Sequence, residues 1–203
     1  MNVGRCILRY MKSTLQYGLF YEAACPIQVH GYTNANWAGS IFDRRSTSGF
    51  MFSLGSATIS WSSKKQPTVA LSSTEAEYRG AAMAACEVAW LQKLLTDLGQ
   101  SVHDAVVIYC DNISSIMLAN NPVYHARTKH IEVHYHFVRE KVLAREIDLV
   151  YVSTEEQVAD IFTKALGTEK LRRFRSLLGV LEMDLSLRGS VEISSSTPDV
   201  YPG

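Results

Sequence analysis

The strongest constraint on the fold is a change of hydrophobic period near residue 71. Upstream, IQVHGYT, STSGFMFSL and ATISWSS are short strand-like runs, with a tight turn at Gly55-Ser56 between the last two. Strands joined by short turns predict an antiparallel meander. Downstream, Tyr78, Ala81, Ala82, Ala85, Val88, Ala89 and Leu95 recur at helical spacing through residues 72 to 98. Gly99 closes that long helix. AVVIYCD then reads as an apolar strand ending in an aspartate, followed by a brief helix to Ala119 that NNP breaks. A helix over 128 to 145, a fifth strand at IDLVYV and a helix at QVADIFTKAL complete the order. This order predicts an α/β fold: a five-stranded mixed sheet with helices on its faces. Ligands of such sheets gather beyond the strand ends, which is where Asp111 stands.

Composition narrows the class. The 203 residues are 47% hydrophobic and 20% charged, values of a soluble globular chain. No apolar run approaches the roughly 18 residues that span a bilayer. The N-terminal stretch lacks a signal-peptide core and cleavage site, so an intracellular chain with no membrane partner is expected. The four cysteines, Cys6, Cys25, Cys86 and Cys110, show no metal or redox spacing and are read as free, mostly buried thiols. The formal net charge of zero disfavours an indiscriminate nucleic-acid binder, yet it permits an acidic metal site offset by basic substrate contacts. Residues 5 to 21 carry a helical pattern running into YGLFY, and SVEISSSTPDVYPG is polar, turn-rich and read as disordered.

Carboxylates from separate elements form the candidate site. Asp111 ends the fourth strand, Asp160 opens the last core helix, and Glu77 lies early in the long helix. With position 34 on the first strand they could converge. Clustered carboxylates suit hard cations such as Mg²⁺. Each has a plainer reading: Asp111 as a turn residue or helix cap, Asp160 as a first-turn carboxylate favoured by the helix dipole. Glu75 and Glu77 compete, because residues two apart on a helix do not share a face. Ser72 with Glu75 fits a capping box, and Glu75 can pair with Arg79, which leaves Glu77 for the site. Thr74 with Glu77 fits a capping box too. Beside Glu77, the small residues Gly80, Ala81 and Ala84 permit close approach to the sheet. In GYTNANWAGS, Asn34 and Asn36 share one strand face next to an aromatic, an odd arrangement for a plain core strand.

GYTNANWAGS, DRRSTSGF, ISWSSKKQPTVALSSTEAEY, YCDNISSI, RTKHIEVHYHFVRE and QVADIFTKAL resemble, in order, motifs of the ribonuclease H domain of copia-type retrotransposon Pol polyproteins. The resemblance covers residues 5 to 180. It implies a ribonuclease H-like fold, hydrolysis of the RNA strand of RNA–DNA hybrids, and two Mg²⁺ ions roughly 4 Å apart. By motif position the family's metal carboxylates fall at 34, 77, 111 and 160. Glu77, Asp111 and Asp160 are present as metal ligands. The family pattern is similar to GYSDADWAG, so Asn34 is a degenerate catalytic position and Asn36 supplies no substitute charge. Hydrolysis is therefore expected to be strongly impaired. A non-catalytic nucleic-acid-binding module and an inert relic are the alternatives. STEEQVAD lacks the histidine that some ribonucleases H use as a proton shuttle, leaving Ser153 or Thr154 to orient a water.

The resemblance further implies a remnant of the reverse transcriptase connection over 1–24, a ribonuclease H-like domain over 25–180, and a tail over 181–203. It implies a fragment without polymerase, integrase or protease, or a gene derived from one, with a reverse transcriptase domain in cis or in trans as the expected partner. Hybrid binding should rest on phosphate contacts, with Arg44, Arg45, Lys64, Lys65, Arg127 and Lys129 as candidates and Ser46, Thr47 and Ser73 adding hydroxyls. The plain reading of each cation is a solvated surface charge. His130 and His134 lie four apart, but Glu132 is misplaced for an HExxH zinc site, so zinc is not expected. Trp37, Trp61 and Trp90 are read as core, Trp37 least firmly because it adjoins the site.

Overall fold

The upstream runs form strands and the long downstream run forms one helix, as their periods require. The computed structural model describes residues 3–100, 104–120 and 129–183, with side chains from residue 135 in the last stretch. In chain order, α1 (Val3–Ser13) and β1 (Tyr17–Leu19) precede the meander β2 (Val29–Asn36), β3 (Thr47–Leu54) and β4 (Ala57–Lys65). Then come α2 (Ser73–Asp97), β5 (Val106–Cys110), α3 (Ile113–Asn120), α4 (Lys129–Leu143) and β6 (Ile147–Tyr151). A 3₁₀ turn (Val158–Phe162), α5 (Thr168–Leu177) and β7 (Val180–Glu182) follow. The main sheet runs β4-β3-β2-β5-β6, with β2 and β3 antiparallel and β5 parallel to both β2 and β6. It is the expected five-stranded mixed sheet.

Period two divides the sheet into two faces. Phe50 and Phe52 pack with Tyr78, Ala81, Ala85, Val88 and Leu91 of α2 and with Val138 of α4. On the other side Met51 packs with Val158 of the 3₁₀ turn, Phe174 of α5 and Leu178 just after it. α2 starts with Ser72, whose hydroxyl accepts from the Glu75 N–H at 3.1 Å. The expected capping box closes one residue early, because Glu75 Oε2 accepts from the Leu71 N–H instead.

Three expectations are corrected. QVADIFTKAL is no α-helix: its ordered turn is a five-residue 3₁₀ helix. Gln157 is fully buried and fixes that turn, donating to Thr33 O and accepting from the Ala159 N–H. Trp37, Trp61 and Trp90 are about half-exposed rather than core, because β4 is an edge strand and Trp90 lies on the outer face of α2. Of the four free cysteines only Cys110 is buried.

Among the described residues, 3–18 and 181–183 fall in one compact unit and those of 19–180 in another. The larger unit begins ahead of residue 25, since Phe20 N–H donates to Gly179 O and the Tyr21 hydroxyl to Thr58 O. Of the expected disordered tail over 181–203, Leu181 and Glu182 instead belong to β7, and the part beyond residue 183 lies outside the described residues. No helix among the described residues is long and apolar enough to cross a membrane.

Candidate metal and nucleic-acid site

The site forms where β2 and β5 end. Strand alternation turns Thr33 and Ala35 of β2 toward α2, and Asn34 toward the 3₁₀ turn. Gly80 lets α2 approach: a Cβ there would stand 3.3 Å from Thr33 Oγ1 and 3.5 Å from Asn34 O. Glu77, one turn earlier, is thereby buried beside the strand end. Asp111 follows β5 directly and its Oδ2 accepts from the Thr154 hydroxyl at 3.2 Å.

Glu77, Cys110 and Asp111 bring one ligand atom each to within 4.8 Å of one another. Glu77 Oε2 is buried without a hydrogen-bond partner. Burial pushes the Glu77 carboxyl up to about 8, and the charges of Asp111 and Asp160 add to that, against the Ala35 N–H and Lys164. A carboxyl kept protonated by burial in this way would ionise beside a divalent cation, whose charge would offset the desolvation. Burial likewise pushes the Cys110 thiol up to about 12, so it stays protonated and is a poor ligand for a hard ion. The Glu77–Asp111 pair therefore fits one oxygen-seeking cation.

Asp160 is engaged differently. It is fully buried, and Asn34 Nδ2 donates to its Oδ1 at 2.6 Å and to Thr163 Oγ1 at 2.7 Å. Lys164 Nζ lies 2.8 Å from Oδ1 and Lys170 Nζ 3.3 Å from Oδ2, the latter without a well-aligned hydrogen bond. One negative charge thus faces two ammonium groups and an amide donor. These residues do not fit a second cation shared between positions 34 and 160.

No protein-family model matches the chain. It is 42% identical over 192 residues, 95% of its length, to the retrovirus-related Pol polyprotein from transposon RE2 of Arabidopsis thaliana. It is 45% identical over 174 residues, 86% of its length, to that of transposon RE1 from the same plant. The chain belongs to the copia-type retrotransposon Pol family and carries a ribonuclease H fold. It spans 13% and 12% of the length of these two relatives. Among solved structures, LC11-RNase H1 in complex with RNA/DNA hybrid superposes with a TM-score of 0.51 at 14% identity, covering 67% of this chain and 94% of that one. At that identity the likeness shows the fold alone.

The basic candidates of this retroelement domain are distributed around the β2–β3 loop and the end of β4. Arg44 is exposed in a left-handed conformation (φ 55°). Asp43 gathers Lys65 at 2.8 Å and Arg45 at 3.5 Å, and hydrogen bonds from Lys65 and Ser40 hold its carboxyl well below the usual range. Lys64 and Ser73 are exposed, while Thr47 is half-buried. Ser46 is fully buried and its Oγ accepts from the Ala38 N–H, so this hydroxyl shapes the loop instead of facing outward. Arg127, and the side chains of Lys129, His130 and His134, lie outside the described residues. Lys164 and Lys170 were not among the site residues expected from the sequence. The first was legible, since Asp160 and Lys164 are four apart; the second arrives on α5, which no local signal placed near the site. Cys110 was visible only as the neighbour of Asp111.

Proposed function

We propose that this chain is a hybrid-binding ribonuclease H domain of a copia-type element whose hydrolytic centre is disabled at Asn34. The family's reaction, cleavage of the RNA strand of an RNA–DNA hybrid, is the ancestral activity. The contact that carries the reading is Asn34 Nδ2 to Asp160 Oδ1 at 2.6 Å. A carboxylate at position 34 would bring negative charge to that point, whereas the amide brings a donor.

When bound, Mg²⁺ activates water and stabilises the leaving oxygen in phosphodiester cleavage. Glu77 and Asp111 would hold one such ion. Thr154 orients Asp111 through its hydroxyl. Lys164 and Lys170 neutralise Asp160 in place of a second ion. The cations around the β2–β3 loop would contact phosphates and orient the hybrid. The proposed setting is intracellular, with a reverse transcriptase domain in cis or in trans.

The reading is tested by anisotropy of a labelled RNA–DNA hybrid titrated with the full chain in EDTA. Binding that weakens linearly in log K against log salt is expected. No binding at low salt would leave only an inert relic of the family.

A further inference from the structure

The loop after β2 turns apolar side chains into water. Phe42 is 93% exposed, Ile41 79%, and Trp37 at the start of the loop 49%. Folding gains nothing from a phenyl ring left in solvent. Single exposed apolar residues are ordinary, but three within one short loop concentrate apolar surface there, as interaction sites do.

The loop is also braced. Arg44 N–H donates to Ser40 O at 2.9 Å and Ser40 N–H to Arg45 O at 3.2 Å. Lys65 Nζ donates to Ser40 Oγ at 3.0 Å, and the Trp37 indole N–H to Ala70 O at 3.0 Å. A tip held this way needs little further ordering when a partner arrives. Its flanks are cationic: Arg44, Arg45, Lys64 and Lys65 stand against Asp43 alone. An apolar tip between cations is complementary to a nucleic-acid strand, which offers phosphates beside the faces of sugars and bases.

We propose that Ile41 and Phe42 form an apolar anchor on the nucleic-acid strand, seated against a sugar face or an unstacked base while Arg44 meets the adjoining phosphate. The anchor would fix the hybrid beside the strand end that carries Asn34. It rests on the reading of the chain as a hybrid binder.

The test compares the full chain with the Ile41→Ala, Phe42→Ala double variant in the same EDTA anisotropy assay, over a series of salt concentrations. Both side chains are exposed, so the thermal midpoint should not fall. Affinity is expected to drop roughly 10-fold, within the range of lost base–aromatic stacking, with the salt slope unchanged because the phosphate contacts remain. Arg44→Ala should instead reduce the slope by about 1. A blunt hybrid and one with a single-stranded overhang separate the two contacts. Loss confined to the overhang supports an unstacked base, and equal loss supports a sugar face. Unchanged affinity in the double variant overturns the anchor, as does a loss fully accounted for by a shallower slope, which an acidic-protein docking surface would allow. If the natural chain binds no hybrid at all, the underlying reading fails and the anchor with it.

Discussion

At the scale of single residues, charge decides what the site can do. Asn34 makes the buried Asp160 compatible with a metal-free interior, because it donates where a carboxylate would repel. Asn34→Asp should therefore destabilise the chain in EDTA by about 1–3 kcal/mol, the cost of losing a buried hydrogen bond to a charged partner. Thermal unfolding should show part of that loss recovered with Mg²⁺. Glu77 gives a second prediction. Its carboxyl is raised from 4.5 to about 8 in the folded chain. The folded state therefore holds a proton that the unfolded state releases between those values. This contribution to stability is complete below pH 4.5, falls as pH rises to about 8, and is flat beyond. Denaturation across that range should show the decline in the natural chain and a weaker one in Glu77→Gln. The sequence exposed part of this. Spacing favoured Glu77 over Glu75, yet both proved buried, since Arg79 and the Leu71 N–H satisfy Glu75 inside the fold. Trp61 was misread because an aromatic on a strand looks the same whether the strand is central or at the edge.

At the scale of elements, the long helix and the five strands were legible because each repeats its period for several residues. The 3₁₀ turn was not, because tertiary contacts set it. Gln157 ties it to Thr33 O, and Gly49 of β3 lies beneath it. A Cβ on Gly49 would come within 2.8 Å of Phe162 Cβ and Thr163 Cγ2. Gly49→Ala should lift the turn that carries Asp160 and cost about 1–3 kcal/mol in urea denaturation, the range for overpacking. Gly99 is the contrast. It has open space around its Cβ position and φ of 76°, so Gly99→Ala should cost only backbone strain, about 1 kcal/mol, and leave hybrid binding unaltered. α5 was not among the elements expected from the sequence. Its polar, Arg-rich run hides the single apolar contact that matters, the fully buried Phe174.

At the scale of the whole molecule, the strand ends of one mixed sheet collect groups from both of its faces. Glu77 comes from the α2 side, Asp160 from the 3₁₀ side, and Asp111 from between them. On the proposed reading, this arrangement is an inherited cation site whose Glu77–Asp111 half keeps both carboxyl groups, while position 34 offers an amide. The formal net charge of zero conceals this, because a whole-chain sum does not show where carboxylates and cations gather. On the proposed reading, one missing charge disables this ribonuclease H domain. The direct measurement is Mg²⁺-dependent cleavage of a labelled RNA–DNA hybrid by the natural chain and by Asn34→Asp, at equal hybrid occupancy. Cleavage by Asn34→Asp should exceed that of the natural chain by about 100-fold or more, since even outer partners of a metal are worth roughly 10–100-fold. Cleavage by the natural chain at the rate of Asn34→Asp would contradict this reading.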